Sequence, residues 1–536
     1  MPAATIVRLA APLTSGVALW LASPPVGVGW LAWVGLVPAA ALALAAPGTR
    51  LARLAAPLAL VVFLELLLVP ALPFGLAEDQ WGDPVVPVLV GDSPVLVVAL
   101  VVVPLFGLLL YAIRFPHFGL TPRTTTALAA VATVVVPAVA WTALDLLRTK
   151  FDPGSFWGPL YLSQYDTAAA NLAAVAGPWL VTFALVAVNY SLALACLAAA
   201  GRRVGTVPAI VPSTRAVLAS AVLALALVAP AAVVDSEPPG RETLRVAAVQ
   251  PGYDTAEFDL PVNRYLRRET RDLARASLDL VADLTPLMEE AAARGARVAV
   301  WPEAAIWVRP RDDATLRTAL VRLAQDTGLV IVVPYFLRGP DRGAALAVLP
   351  DGTLTRAQGK QRPMWFLGER GRGGEPPEPV ATEIGSVGTL LGVDTQEPAP
   401  ARRLAAAGAD FLTSSTHDWE ALAAQHAALV RLHAKSLGIP LVRADWRHGS
   451  AIVDAGGRVV ADTGRENRRA VVVGDVAMDG VTTTYARLGD HAGWACVALL
   501  GVLLAASAAR SRGERAEAER AANPLREAEP AAHPPP

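Results

Sequence analysis

The sequence predicts two architectures in one chain: a multi-span α-helical membrane domain with eight transmembrane helices, and an α/β domain set between the seventh span and the eighth. Three observations predict this. The 536 residues are 54% hydrophobic and only 17% charged, with a mean hydropathy of +0.43, whereas a soluble protein carries roughly 25% charged residues. The apolar residues gather into runs of the ~20 residues that cross a bilayer. Most of the charge falls between residues 241 and 485. The expected division is a membrane domain at 1–240, an α/β domain at 241–485, a last span at 486–510 and a disordered tail at 511–536, rich in Arg, Glu, Ala and Pro.

Seven apolar runs precede the α/β domain, at 5–22, 26–46, 51–75, 90–114, 125–147, 171–200 and 216–234, and an eighth lies at 491–508. The first is expected to remain a span, because its flank is almost uncharged and another run follows within a few residues. Arg50 and Arg53, Arg114 and Arg123, Arg202, Arg203 and Arg215 mark alternate loops, and Arg510 and Arg512 follow the last span. Acidic residues such as Glu78, Asp79, Asp83, Asp152 and Asp166 mark the loops between. Basic loops stay in the cytoplasm. Both termini are therefore expected inside and the α/β domain outside the cytoplasmic membrane. Glu65 in the third run is an intramembrane acid, which defaults to a functional candidate.

Within the charged region Leu244–Val249 reads as a strand, Tyr265–Ala293 as a helix ended by Gly295, and Val298–Trp301 and Leu329–Pro334 as strands. Ala344–Leu349, Asp351-Gly352 and Leu354 form a strand, tight turn and strand. Val387–Val393 is a strand and Ala401–Ala407 a helix closed by Gly408. Phe411–Ser414, Leu441–Ala444 and Ser450–Val453 are further strands, with a turn at Asp454–Gly457. Alternating strands and helices define an α/β domain.

The net charge of −1 gives no case for a nucleic-acid partner. Cys196 and Cys496 lie in apolar runs and read as small buried hydrophobes. With no CxxC or His/Cys cluster, neither a metal nor a cofactor is expected. Three residues stand out for chemistry. Glu303 directly follows a strand in Val300-Trp301-Pro302-Glu303, at the edge where α/β sheets bind ligands. Lys360 follows the hairpin, and Glu369 sits in Phe366-Leu367-Gly368-Glu369. On pattern alone each has an ordinary alternative: a helix-initiating acid, a solvated basic loop and a surface acid.

In this order the pieces resemble the nitrilase (carbon–nitrogen hydrolase) superfamily, which uses a Glu, a Lys and a Cys in that chain order. The outward domain before a final span is similar to the apolipoprotein N-acyltransferase family. Gly29-Trp30-Leu31-Ala32-Trp33, Trp141 to Arg148 with Asp145 where Glu is usual, Phe156-Trp157-Gly158 to Ser163-Gln164, and Asn189 resemble its membrane segments. Val249-Gln250, Trp301-Pro302-Glu303, Lys360, Gly368-Glu369, Gln425-His426, Gly449-Ser450 and Asp454 resemble its outer domain. The resemblance implies a nitrilase-like α-β-β-α sandwich outside a bacterial cytoplasmic membrane. It implies transfer of an acyl chain from membrane phospholipid, through a cysteine thioester, to the α-amine of a lipoprotein diacylglyceryl-cysteine. Glu303 takes the general-base position, Lys360 the oxyanion position and Glu369 a supporting one.

The nucleophile is where this chain departs. The family strand carries glycine, three apolar residues, cysteine, an aromatic residue and an acid. Here it reads Gly388-Thr389-Leu390-Leu391-Gly392-Val393-Asp394. Gly392 occupies the cysteine position and Asp394 the adjacent acid. Neither cysteine of the chain lies in the outer domain. Thr416-His417-Asp418-Trp419 and His433-Ala434-Lys435-Ser436 also differ from the family strings. A substitute nucleophile would come from Ser386, Thr389, Ser414, Ser415 or Asp394. Two functions follow: a silent member that binds lipid, lipoprotein or an active paralogue, and an acyltransferase that works by another nucleophile.

Overall fold

The computed structural model describes residues 3–45, 50–71, 127–150, 158–204, 213–232, 242–252, 272–337, 342–363, 376–418, 420–478 and 483–522. The expected run at 90–114, Glu369 and the end of the tail lie outside the described residues, as does the side chain of Glu65, on the helix Arg50–Ala71.

In the N-terminal half the described helices are α1 (Ala3–Ala22), α2 (Val37–Ala45), α3 (Arg50–Ala71), α4 (Ala127–Arg148), α5 (Pro178–Val204) and α6 (Thr214–Val228). Four described helices are long and apolar enough to cross a bilayer: Ala127–Arg148, Pro178–Ala200, Thr214–Ala231 and His491–Ala518. The run expected at 26–46 is not one helix. It divides into a 3₁₀ segment, Gly29–Trp33, and the nine-residue α2. Gly35 falls at the break and does not favour continued helix, and Pro38 sits in the first turn of α2, where a proline is tolerated. The Asn189 side chain closes the break by accepting from Leu36 N and donating to the Ala32 carbonyl, both at 2.8 Å. The last helix runs from His491 to Ala522, so the tail expected to be disordered from 511 begins as helix. Cys196, expected to be buried, is exposed on α5.

The α/β domain is built of two six-stranded sheets. The first has the order β12-β1-β2-β3-β4-β5 and the second β11-β10-β9-β8-β7-β6. The strands are β1 (Thr243–Gln250), β2 (Val298–Val300), β3 (Val330–Leu337), β4 (Arg342–Val348), β5 (Gln358–Gly359), β6 (Val380–Thr382), β7 (Gly385–Leu391), β8 (Phe411–Thr416), β9 (Leu441–Asp445), β10 (Ala451–Val453), β11 (Val459–Asp462) and β12 (Ala470–Ala477). β1, β2 and β3 run parallel, as do β7, β8 and β9.

Alternate side chains of a strand point to opposite faces, and both faces here are apolar. Val246, Val298, Val300 and Val330 meet Val387, Phe411, Val442 and Ile452 between the sheets. Leu280, Leu284 and Met288 of the helix Leu273–Ala293 (α7) and Leu316 and Leu320 of Ala314–Thr327 (α8) cover the first sheet. Leu404 of Pro398–Ala406 (α9) and Val430, Ala434 and Leu437 of Glu420–Leu437 (α10) cover the second. This is the α-β-β-α sandwich. α10 serves two cores: Val430, Ala434 and Leu437 face the sheet, whereas Ala428, Leu429 and Leu432 pack into the membrane-domain core. That 3.6-residue periodicity on both sides joins the two halves.

Candidate functional site

Parallel strands place their carboxyl ends together, and the site forms there. β7 ends at Leu391, two residues short of the strand expected through Val393. Gly392 then turns the chain, with φ of +51°, into the 3₁₀ segment Gly392–Gln396. A strained strand-to-helix turn is the geometry that exposes a nucleophile, and here it carries no side chain. A Cβ on Gly392 would lie 2.4 and 2.6 Å from the two carboxylate oxygens of Glu303. Glu303 follows β2 and Lys360 follows β5, and Lys360 Nζ donates to Glu303 Oε1 at 2.9 Å. The two side chains are 17% and 3% exposed, so the ion pair is largely withdrawn from water. Trp446, just past β9, donates its indole N–H to the Glu303 carbonyl at 2.7 Å. Ala304 has φ of +53°, the one positive value for a described non-glycine residue, and such strain collects at functional sites.

Asp394 lies in the turn rather than on a strand. Its carboxylate accepts from Gln361 N (3.0 Å), Arg362 N (2.7 Å) and Leu391 N (3.3 Å). Burial pushes its carboxyl up to about 7, opposed by those donors and by Lys360. Asp394 therefore clips the Lys360 segment to the elbow. Arg362 donates to the Glu397 carboxylate at 2.5 Å and to the Thr149 carbonyl at 3.2 Å.

A second buried network flanks this one. Arg443 pairs with Asp418 and, at 3.3 Å, with Asp445. Asp418 accepts from or shares a proton with His426 Nδ1 at 2.6 Å. Burial would raise the Asp418 carboxyl, but His426 and Arg443 hold it below the usual carboxylate range. Burial and the Arg447 charge hold His417 down at about 3. The His417 ring lies 5.8 Å from that of Trp446.

The candidate hydroxyls fall in different layers. Ser386 lies at the start of β7, about 20 Å along the strand from Gly392. Thr389 hydrogen-bonds to Gln358 and Thr413. Ser414 is in register with Leu390, on the face covered by helices, and its hydroxyl meets Thr395 Oγ1 at 2.7 Å. Ser415 is in register with Leu391 on the inter-sheet face, and its hydroxyl is buried without a hydrogen-bond partner among the described residues.

The structure thus brings Glu303, Lys360, Gly392 and Asp394 together. The sequence reading gave no role to Trp446 or Arg362. Trp446 follows a strand as Glu303 does, a signal available in principle. Arg362 is two residues past Lys360, with nothing in the sequence to show its reach.

Three residues of the N-terminal strings, Trp33, Gln164 and Asp145, make polar contacts within the helical half. Trp33 Nε1 donates to Gln164 Oε1 at 2.9 Å. Asp145 pairs with Arg148 at 3.0 Å and accepts from Leu160 N and Thr182 Oγ1.

Fold and site define a carbon–nitrogen hydrolase domain attached to a multi-helix apolar domain. Residues 245–486 match the carbon–nitrogen hydrolase family, and residues 15–191 match the apolipoprotein N-acyltransferase N-terminal domain. The chain is 30% identical to an apolipoprotein N-acyltransferase from Gloeobacter violaceus, over 95% of this chain and 96% of that one. The chain belongs to the apolipoprotein N-acyltransferase family. Among solved structures, a carbon–nitrogen hydrolase from Helicobacter pylori G27 is 15% identical with a TM-score of 0.36, covering 44% of this chain and 90% of its own. An amidase from Nesterenkonia sp. is 19% identical with a TM-score of 0.36, covering 48% and 98%.

Proposed function

We propose that this chain is a catalytically silent apolipoprotein N-acyltransferase, a lipid- and lipoprotein-binding or partner-regulating pseudoenzyme of a bacterial cytoplasmic membrane. The observation that carries the reading is Gly392. The family's acyl transfer runs through a thioester, which needs a thiolate. At the elbow there is no side chain, and the Glu303 carboxylate stands where one would go. Glu303 in the base position and Lys360 in the oxyanion position are paired with each other.

The reading includes eight spans, both termini in the cytoplasm and the sandwich outside, and it takes phospholipid and a lipoprotein N-terminus as ligands, with an active paralogue as a candidate partner. The alternative is an active enzyme with another nucleophile, and the geometry lends it less support. Ser414 faces the helix layer, and among the described residues Ser415 makes no hydrogen bond to an activating base.

Intact-mass analysis of the full-length protein reconstituted with phospholipid tests the proposal. No acyl adduct is expected on the wild type, and no rescue of a strain lacking its own N-acyltransferase, read as lipoprotein N-terminal mass. Gly392→Cys should gain an adduct. A stable adduct on the wild type would refute silence, and its loss in Ser415→Ala would name the substitute.

A further inference from the structure

We infer that Arg362 is a positioning residue that makes the Lys360–Glu303 pair answer to the membrane domain. The inference rests on Glu303 and Lys360 being the centre of the proposed site, and it adds a form of regulation to that site.

The chain of contacts is continuous. In the membrane half, the Asp145 carboxylate gathers Arg148 Nε, Leu160 N and Thr182 Oγ1, which fixes the end of α4. Thr149 follows that end, and its carbonyl accepts from Arg362. The same guanidinium holds Glu397, at the start of α9, and the Arg362 amide donates to Asp394 beside Gly392. Arg362 thus spans the membrane helix, the elbow and the segment that carries Lys360. A guanidinium presents several donors in a fixed fork, so a shift of the Thr149 carbonyl must be met by Arg362 moving or by that bond breaking. The single residue between Lys360 and Arg362, Gln361, leaves no slack to absorb the motion, because both amides after Lys360 are clipped to Asp394. A displacement of the end of α4 is therefore felt at Lys360.

Composition makes this testable. The chain has three lysines, Lys150, Lys360 and Lys435. Reductive methylation of the full-length protein in nanodiscs with ¹³C-formaldehyde reports each by peptide mass and by its own methyl resonance. Arg362→Gln should raise the rate at Lys360 at least fivefold and leave Lys435 unchanged. Asp145→Asn, remote from Lys360, should raise the Lys360 rate about threefold in the wild-type background and add nothing in the Arg362→Gln background. That non-additivity marks coupling through one residue. Should Asp145→Asn not fold, Thr182→Val, which removes one donor to the same carboxylate, carries the same comparison. An unchanged Lys360 rate in Arg362→Gln, no effect of the membrane-side variant, or an equal effect in both backgrounds overturns the inference. None of these readouts depends on an acyl adduct, so failure here is distinct from failure of the silent-enzyme reading.

Discussion

Adding a single methyl group at the elbow tests the geometry most directly. Gly392→Ala meets two costs that the structure separates. The first is conformational: at φ of +51° an L-residue in the left-handed region costs about 1–2 kcal/mol. The second is contact. The Cβ would sit 2.4 and 2.6 Å from the Glu303 oxygens, and carbon–oxygen contacts settle at roughly 3.3 Å, so the carboxylate must retreat by about 0.8 Å. Its 2.9 Å bond to Lys360 is then bent or lost, and a hydrogen bond to a charged group contributes about 1.5–3 kcal/mol. The expected total is about 2.5–5 kcal/mol, toward the lower end because the carboxylate terminates a flexible side chain. In a Glu303→Ala background only the first cost remains, about 1–2 kcal/mol. A double-mutant cycle, read by unfolding in mixed micelles, should give a coupling of about 1.5–3 kcal/mol. A coupling below about 0.5 kcal/mol would refute the close approach of Gly392 and Glu303.

The other predictions concern the membrane topology and the buried charges. Reporter fusions at Gly205 and Gly457 should give signals from opposite sides of the membrane, and same-side signals would overturn the topology. Arg443→Met leaves Asp445 buried without its cation and Asp418 with His426 alone and should destabilise by about 3–5 kcal/mol; a change under about 1 kcal/mol would contradict that pairing. For Asp394, the folded carboxyl titrates at about 7, above its unfolded value near 3.9. Between those two values the folded state holds the extra proton, so this group's contribution falls as pH rises from about 4 to 7 and is level beyond. Asp394→Asn should remove that fall from the stability–pH curve, and an unaltered curve would show that Asp394 stays ionised throughout.

Much of the fold was legible because the apolar patterns were strong. β1, β2 and β8 fall within a residue or two of the runs read from sequence, since buried parallel strands are short continuous apolar runs. The helix α8 was missed although its signals were present: an Asp313 cap and buried Leu316, Leu320 and Leu323 in helical spacing. The break in the 26–46 run was hidden because composition alone cannot distinguish one span from two short helices joined around Gly35. Of the site, Glu303 and Lys360 were legible through chain order and strand ends. The elbow was not. Val387–Val393 reads as an unbroken strand, and only backbone geometry shows that Gly392 leaves it with a positive φ. Trp446 and Arg362 escaped because their roles depend on contacts across 143 and 213 residues of sequence, which no local pattern encodes.

The charges of the site have a structural reason to stay whether or not the chemistry does. Lys360 is 3% exposed and Glu303 is its carboxylate partner. Removing one member of such a pair strands the other charge in a poorly solvated place, which costs more than keeping both. Asp394 is likewise tied to structure, because three backbone N–H groups depend on its oxygens. The elbow position has no such tie. With Gly392 there, the left-handed turn is formed without a side-chain penalty, and Glu303 closes over the vacant space. A glycine at this point therefore costs the fold nothing, whereas loss of Glu303, Lys360 or Asp394 would lower its stability. A site without its nucleophile is expected to keep Glu303, Lys360 and the Asp394 clip, so the presence of Glu303 and Lys360 is not by itself evidence of turnover. What separates the silent reading from the active one is the single missing side chain at Gly392.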